Sequence, residues 1–360
     1  MEKLQVLPNT SQNPGKFTLQ GTNTYLVGSS PPYILIDTGE GRDAYTPLLE
    51  AALLSSIEKE QTQNSGSAAC LISDIILTHR HQDHFGGLHD ILKLLRKLHD
   101  HRGVETLHYI PPRIHKYLSP SATLPSSDAY ESSFESVLSS LPASSYTPAP
   151  SGTPIHDLRD AQRFRLPHTP PTASEPSTLE VVHTPGHTPD SICLLLRRAD
   201  AGVAGPHVLF SADTVLGQGT AIFEDLSAYI SSLQRVLAAR ACASADADFS
   251  AIYPGHGPVV EDGPALIETY IKHRMDREAQ IVRVLSGSPP PPKEGADSGD
   301  EPAWTIWNIV AVIYKDYPEN LWLPAAHGVG LHLRKLEDDG RARCLGGEGV
   351  KQRWTFISES

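Results

Sequence analysis

Residues 75–87 read Ile75-Ile-Leu-Thr-His79-Arg-His81-Gln-Asp83-His84-Phe-Gly86-Gly87. An apolar run that predicts a buried strand is followed at once by four residues of metal-ligating type. In an extended chain, positions i and i+2 point the same way, so His79 and His81 are expected to grip one metal ion together. Asp83 and His84 come after the predicted strand, where the chain turns, and are expected to face a second position. A chance cluster of polar loop residues explains this density of ligands less well.

Three later segments supply further ligands at the ends of predicted strands. They are His183-Thr-Pro-Gly-His187, Phe210-Ser-Ala-Asp213 and Tyr253-Pro-Gly-His256. Each segment alone is equally well explained by turn residues or a solvated carboxylate. Together they place His187, Asp213 and His256 where open α/β sheets bind their ligands, at the carboxyl ends of strands. The sequence therefore predicts a two-metal site, and it lacks the helical His-Glu-x-x-His spacing of another class of zinc hydrolase.

The rest of the main domain alternates predicted strands with predicted helices, which indicates an α/β layered fold. The predicted strands cover residues 22–27, 33–37, 72–78, 179–183, 192–196, 208–211 and 251–253. The predicted helices cover about 45–57, 88–98, 228–239 and 264–285.

The chain is expected to divide into a main domain over residues 1–286, a Pro/Gly-rich linker over 287–303 and a smaller module over 304–360. A Ser-, Pro- and Thr-rich stretch over about 118–178 interrupts the main domain. Its composition predicts a surface insertion that is mostly flexible, with a more ordered patch at 155–166.

The C-terminal module is predicted to contain helices over 305–316 and 325–337, followed by a hairpin around 343–356. This order resembles a winged helix. The seven basic and seven acidic side chains of residues 304–360 balance. That balance favours packing on the main domain or on a partner over reading duplex DNA.

The whole chain of 360 residues has 30 Lys and Arg against 42 Asp and Glu, a net charge of −12. This charge argues against a non-specific nucleic-acid binder, although it is compatible with an enzyme that has a local basic groove. No apolar run reaches the length of a membrane-spanning helix, and no secretory or mitochondrial signal is recognisable, so a cytoplasmic protein is expected. The four scattered cysteines form no Cys-x-x-Cys pair and are expected to be reduced thiols.

The metal-ligand motifs resemble those of the metallo-β-lactamase superfamily, in its glyoxalase II-like branch. Residues 13–27, 36–40, 216–220, 223–226 and 253–258 resemble a narrower group that carries a C-terminal winged helix. That group includes an animal mitochondrial endoribonuclease and fungal thioesterases that work beside aromatic polyketide synthases. The resemblance implies an αββα sandwich with a C-terminal winged-helix-like module.

The same resemblance implies a site with two zinc ions, of which the first is held by three histidines and the second by Asp83 and two histidines. Zinc is favoured over magnesium because imidazole dominates the ligands. Asp83 is expected to orient the attacking water, accept its proton and return one to the leaving group. Asp37, at the end of a predicted strand, is expected to fix the ring of His81 or His187 from outside. The implied ligands are His79, His81 and His187 for the first ion, Asp83, His84 and His256 for the second, and Asp213 as a bridge.

Three functions are compatible with this interpretation. The favoured one is a thioesterase that releases a polyketide from an acyl carrier protein, because a thiolate leaves with little acid assistance. The alternative is an endoribonuclease acting on single-stranded RNA, which the neutral module and the absence of an import signal disfavour. A scaffold without catalysis is disfavoured because all seven ligands are present. No membrane partner is expected.

Overall fold

The computed structural model describes residues 5–7, 13–15, 18–62, 70–101, 108–118, 129–167, 176–197, 207–241, 249–291 and 302–357. The contacts divide the chain into two compact units. The first is Met1–Phe223 with Ser232–Ile267, and the second is Glu224–Ser231 with Glu268–Ser360.

Two sheets form the first unit. The strands of the first sheet, in spatial order, are β1 (Gln5–Leu7), β2 (Thr24–Val27), β3 (Tyr33–Ile36), β4 (Ile72–Leu77), β5 (Arg113–Lys116) and β6 (Ile155–Asp157). The strands of the second sheet are β7 (Arg163–Arg165), β8 (Thr178–His183), β9 (Ile192–Arg197), β10 (His207–Ala212) and β11 (Phe249–Pro254), in the spatial order β11-β10-β9-β8-β7. Strands β3 to β6 run parallel, as do β10 and β11. Their carboxyl ends therefore meet at shared edges, from which the ligand-bearing loops emerge.

The helices of the chain up to residue 285 alternate with these strands, as predicted. They are α1 (Tyr45–Thr62), α2 (Gln82–Phe85), α3 (Leu88–His101), α4 (Ala129–Ser140), α5 (Leu226–Ala241) and α6 (Gly263–Leu285). The predicted α/β fold class is confirmed.

Alternation along β3 explains why its side chains are apolar throughout. Tyr33 and Leu35 pack with α1 and α3 in one buried cluster, whereas Ile34 and Ile36 pack against the second sheet in another. Successive side chains of a strand point to opposite faces, so a strand covered on both faces is apolar at every position. The first sheet is thus a layer between helices and the second sheet, and this rigid frame fixes the loops at its edge.

The predicted flexible insertion over 118–178 is corrected in its middle part. Helix α4 lies within it, and its side chains Phe134, Val137 and Leu138 pack against the cluster that covers the first sheet. The spacing i, i+3, i+4 puts these three on one helix face, and burial of that face stabilises the helix despite its serines. Residues 119–128 and 168–175 lie outside the described residues.

The second unit contains the helices and hairpin predicted for a winged helix. Its part from residue 302 onward contains β12 (Trp304–Thr305), α7 (Ile306–Ile313), α8 (Trp322–Asp338), β13 (Ala342–Cys344) and β14 (Arg353–Phe356). The side chain of Thr305 accepts a hydrogen bond from the backbone N of Asn308 at 3.0 Å and so caps α7. In the core of the second unit, Trp354 and Leu333 belong to the same buried cluster as Ile281 and Leu285 of α6.

The second unit is larger than the predicted module over 304–360. The second unit takes in α6 from Glu268 onward, because the last turns of that helix supply core side chains to it. Of the predicted linker, residues 292–301 lie outside the described part.

No helix in the part of the chain that the structure describes is long and apolar enough to cross a membrane. Cys70, Cys193 and Cys344 are reduced thiols outside any disulfide bond, as predicted, and Cys242 lies outside the described residues.

Candidate metal centre

Three imidazoles of the first predicted ligand group converge on one point. His187 Nε2 lies 3.2 Å from His79 Nε2 and 3.0 Å from His81 Nδ1, and the last two atoms are 3.1 Å apart. Ligand nitrogens around a tetrahedral zinc ion, each about 2.0–2.1 Å from the metal, are about 3.3 Å from one another. The three nitrogens are therefore spaced as the ligands of a single small cation are.

The second group lies beside the first. Asp83 Oδ2 is 3.3 Å from both His84 Nε2 and His256 Nε2. Asp213 stands between the groups: Oδ1 is 3.4 Å from His84 Nε2, and Oδ2 is 3.2 Å from His256 Nε2 and 3.7 Å from His187 Nε2. The structure thus brings all seven predicted ligands together, in the predicted grouping and with Asp213 between the two sets.

The site also contains polar atoms that need a partner. His84 Nε2 and Asp213 Oδ1 are buried and make no hydrogen bond with the described residues. A buried polar atom without a partner costs free energy, and a bound cation removes that cost. Five imidazoles and two carboxylates are ligands that suit zinc, so the residues present fit the group that the sequence predicted.

The loop after β4 and the short helix α2 that follows it position four of the ligands. Strand β4 ends at Leu77, so His79 and His81 lie beyond it, and strand alternation was the wrong reason for a correct grouping. Asp83 and His84 lie on the single turn of α2. A Cβ on Gly87 would lie 2.1 Å from the carbonyl oxygen of Thr38, so only glycine lets this turn pack against the loop after β3.

Tight backbone conformations present the other three ligands. Gly186, directly before His187, has φ 132°, and Ala212, directly before Asp213, has φ 45°. A Cβ at residue 255, which is Gly255, would lie 2.4 Å from Asp213 Oδ1. Left-handed backbone is uncommon for non-glycine residues and clusters at functional sites, where the surrounding structure holds it.

Asp37 has the kind of role that the sequence predicted, but for a different ring. Its carboxylate accepts hydrogen bonds from the backbone N of Thr78 at 2.8 Å and from Thr78 Oγ1 at 2.9 Å. Its Oδ2 is 2.7 Å from Nδ1 of His84, whereas the prediction named His81 or His187. His187 Nδ1 instead lies 2.7 Å from the backbone oxygen of Ile222. Loop geometry decides which ring Asp37 reaches, and the sequence does not show that geometry.

Two other ligand rings also make a contact through Nδ1, on the side away from the ligand groups. His79 Nδ1 is 3.1 Å from Thr78 Oγ1, and His256 Nδ1 is 3.2 Å from the backbone oxygen of Gly21. An outer acceptor holds a proton on Nδ1 and leaves Nε2 as the ligand atom. His79, His84, His187 and His256 all direct Nε2 inward.

Burial keeps the rings of His79 and His81 neutral. It lowers the pKa of His79 well below its usual value, and the neighbouring His84 and His187 act in the same direction. Burial also lowers the pKa of His81, to about 4. Both rings are therefore unprotonated at neutral pH, as a metal ligand must be.

The second group has the opposite balance. Burial opposes charge on His84, but the carboxylates of Asp83 and Asp213 outweigh it and hold the pKa of that ring well above its usual value. The same competition, mainly with Asp213, raises the pKa of His256 to about 10. The two carboxylates thus attract positive charge into a buried place, and a divalent cation supplies that charge without protons on the rings.

Thr22 is a part of the site that the sequence did not predict. Its Oγ1 lies 2.7 Å from Asp83 Oδ2. The sequence around Thr22 predicts a strand but carries no sign of a contact with a residue 61 positions later. The contact depends on the fold.

The comparisons with known proteins agree with this architecture. A model of the metallo-beta-lactamase superfamily matches residues 17–256, and a model of the beta-lactamase associated winged helix domain matches residues 305–354. The chain belongs to the metallo-β-lactamase superfamily, with this winged helix domain at its C-terminal side.

Several relatives match over most of the chain. It is 34% identical over 333 residues to the beta-lactamase-like protein 2 homolog of Drosophila melanogaster, covering 92% of this chain and 87% of that one. It is 31% identical to the lactamase-like protein vrtG of Penicillium aethiopicum, in a match that covers 95% of this chain and 84% of that protein. It is 30% identical to the atrochrysone carboxyl ACP thioesterase of Claviceps purpurea, in a match that covers 78% of this chain and 65% of that protein. A crystal structure of a metallo-beta-lactamase family protein from Thermus thermophilus has a TM-score of 0.55 at 20% identity, covering 98% of both chains.

Proposed function

We propose that the chain is a binuclear zinc hydrolase that releases a polyketide from an acyl carrier protein, in secondary metabolite biosynthesis. The proposal of a hydrolase rests on one observation, the convergence of seven ligands in two adjoining groups. The thioester as substrate is supported by the relative named as an ACP thioesterase, at 30% identity. The carrier protein is the proposed partner.

The residues would divide the work as follows. His79, His81 and His187 would hold one zinc ion, Asp83, His84 and His256 the other, with Asp213 shared. When bound, such a pair of ions lowers the pKa of water and polarises the carbonyl oxygen of a substrate.

Asp83 is the proposed proton acceptor. Its closest contacts with His84 and His256 both involve Oδ2, which leaves Oδ1 to take the proton of the attacking water. The same proton then passes to the sulfur as the carbon–sulfur bond breaks. A thiol has a pKa of about 8.5, so the departing thiolate needs little help from an acid, and one carboxylate suffices.

The test compares two substrates and two histidine variants. Purified, zinc-loaded protein is incubated with a polyketide-charged carrier protein and, separately, with single-stranded RNA. His187→Ala removes a ligand, and His183→Ala is the matched control, because that ring contacts the backbone oxygen of Pro189 and stacks on Tyr117 outside the ligand groups.

We expect the wild type and His183→Ala to release the free acid and leave RNA intact, and His187→Ala to release it at least about 100-fold more slowly. Cleavage of RNA without acyl release would replace the thioesterase by the nuclease. Release no faster than spontaneous hydrolysis, or equal release by His187→Ala, would contradict the proposal.

A further inference from the structure

Thr22 and Asn13 form a buried pair next to Asp83. Thr22 is 0% exposed and Asn13 is 6% exposed. Thr22 Oγ1 lies 2.7 Å from Asp83 Oδ2. An ionised carboxylate only accepts hydrogen bonds, so the threonine hydroxyl is the donor.

Asn13 sets the direction of that hydroxyl. The backbone N of Thr22 donates to Asn13 Oδ1 at 2.9 Å, which fixes which end of the amide carries the oxygen. The amide nitrogen Nδ2 is then 3.2 Å from Thr22 Oγ1 and donates to it. Since Oγ1 accepts from Asn13, its single hydrogen is directed to Asp83.

The backbone around Thr22 also holds the loop of another ligand. Thr22 pairs with His256 in an antiparallel bridge, and the backbone N of Asn23 donates to the oxygen of Gly255 at 2.7 Å. The oxygen of Gly21 lies 3.2 Å from Nδ1 of His256. The segment Gly21–Asn23 therefore contacts two of the three ligands in the second group.

We propose that Thr22 is a positioning residue for the second metal position, with Asn13 directing its hydroxyl. The hydroxyl holds the Asp83 carboxylate in the rotamer that brings Oδ2 beside His84 and His256. This inference rests on the two-metal site of the proposed hydrolase but not on the thioester as its substrate.

The test measures zinc affinity rather than turnover. Thr22→Val keeps the shape of the side chain and removes its hydroxyl, whereas Thr22→Ser keeps the hydroxyl. Thr153→Val removes the hydroxyl of an exposed threonine, which among the described residues contacts Ser151 and the backbone oxygen of Ile155. Competition with a chromophoric chelator gives the affinities of both ions, and thermal melting of the zinc-free proteins checks that each variant folds.

We expect Thr22→Val to lower the affinity for one of the two zinc ions by about 10- to 100-fold, as the loss of an outer partner of a ligand typically does. Thr22→Ser and Thr153→Val should bind both ions like the wild type. Asn13→Ala keeps the Thr22 hydroxyl but no longer fixes its direction, so it should lower the affinity for the same zinc ion by a smaller factor.

Two results would overturn the role of Thr22. One is wild-type zinc affinity in Thr22→Val, and the other is equal weakening in Thr22→Ser. If Thr22→Val does not fold, wild-type affinity in a folded Asn13→Ala overturns the proposal as well. A wild-type protein that binds no zinc would instead refute the metal site itself, so the two failures are distinguishable.

Discussion

His84 shows how a single residue is prepared as a ligand. Its Nδ1 lies 2.7 Å from Asp37 Oδ2, which holds the ring proton there and turns Nε2 toward Asp83 and Asp213. Asp37 reaches the ring with a left-handed backbone of φ 58°, a conformation that costs about 1–3 kcal/mol. Two hydrogen bonds from Thr78 to the Asp37 carboxylate help to offset this cost.

The role of Asp83 can be tested at the same scale. Asp83→Asn keeps the shape of the side chain and removes its capacity to take up a proton. With zinc in excess, we expect kcat to fall by about 100-fold or more, the usual contribution of a proton-transfer group, and the melting temperature to stay within a few degrees.

The control for Asp83→Asn is Asp90→Asn, which changes a carboxylate that is 46% exposed on α3. This control should retain wild-type kcat. An Asp83→Asn protein that turns over as fast as the control would refute the proton-handling role.

At the scale of elements, Asp74 links two strands of the first sheet. Its carboxylate, at 5% exposure, accepts both Nε and Nη2 of Arg113 from β5 and lies 2.8 Å from Nε2 of His115. Burial raises the pKa of Asp74, but these hydrogen bonds, together with one from Ser73, outweigh it and lower the pKa to about 2. The folded state therefore binds this proton more weakly than the unfolded state does.

A depressed carboxyl pKa stabilises the fold above the unfolded value and ceases to do so as the pH falls. We expect a contribution of about 2 kcal/mol above pH 4 that disappears between about pH 4 and pH 2. Urea unfolding of the wild type and Asp74→Asn across this range measures it. The difference in unfolding free energy between the two proteins should shrink as the pH falls, and a difference independent of pH would contradict the assignment.

The sequence predicted those elements whose own residues carry the pattern. Strand β4 and helix α3 bury apolar side chains at regular spacing, and both were predicted within a few residues. Strand β5 was not predicted, because Arg113–Lys116 has one aliphatic residue, Ile114, and owes its place to pairing with β4 and β6. Helix α4 did carry a helical spacing, but its serine-rich composition favoured a flexible segment.

The candidate site, like the fold, was predictable only in part. The identity of the ligands was predictable because His, Asp and Pro-Gly-His motifs follow apolar strands, whereas the assignment of His187, His256 and Asp213 to the two groups came from the family resemblance. The contacts outside the ligands were not, since Asp37 with His84 and Thr22 with Asp83 join residues 47 and 61 positions apart. Such pairs are decided by how loops meet at the sheet edge, and local sequence does not encode it.

At the scale of the whole molecule, all seven ligands belong to the first unit. The second unit contains the winged helix and has a buried core around Trp354. The proposed chemistry therefore needs only the first unit to form its metal centre, while the second unit contributes no ligand from its described residues.

The most direct test of this account is the number of zinc ions per chain. Wild type, His187→Ala and the His183→Ala control are dialysed against metal-free buffer after zinc loading, and zinc is measured by plasma mass spectrometry. The account predicts about two ions in the wild type and the control, and fewer in His187→Ala, because binuclear sites hold a pair of adjacent ions. A wild-type protein that retains no zinc, or a His187→Ala protein that retains as much as the wild type, would contradict it.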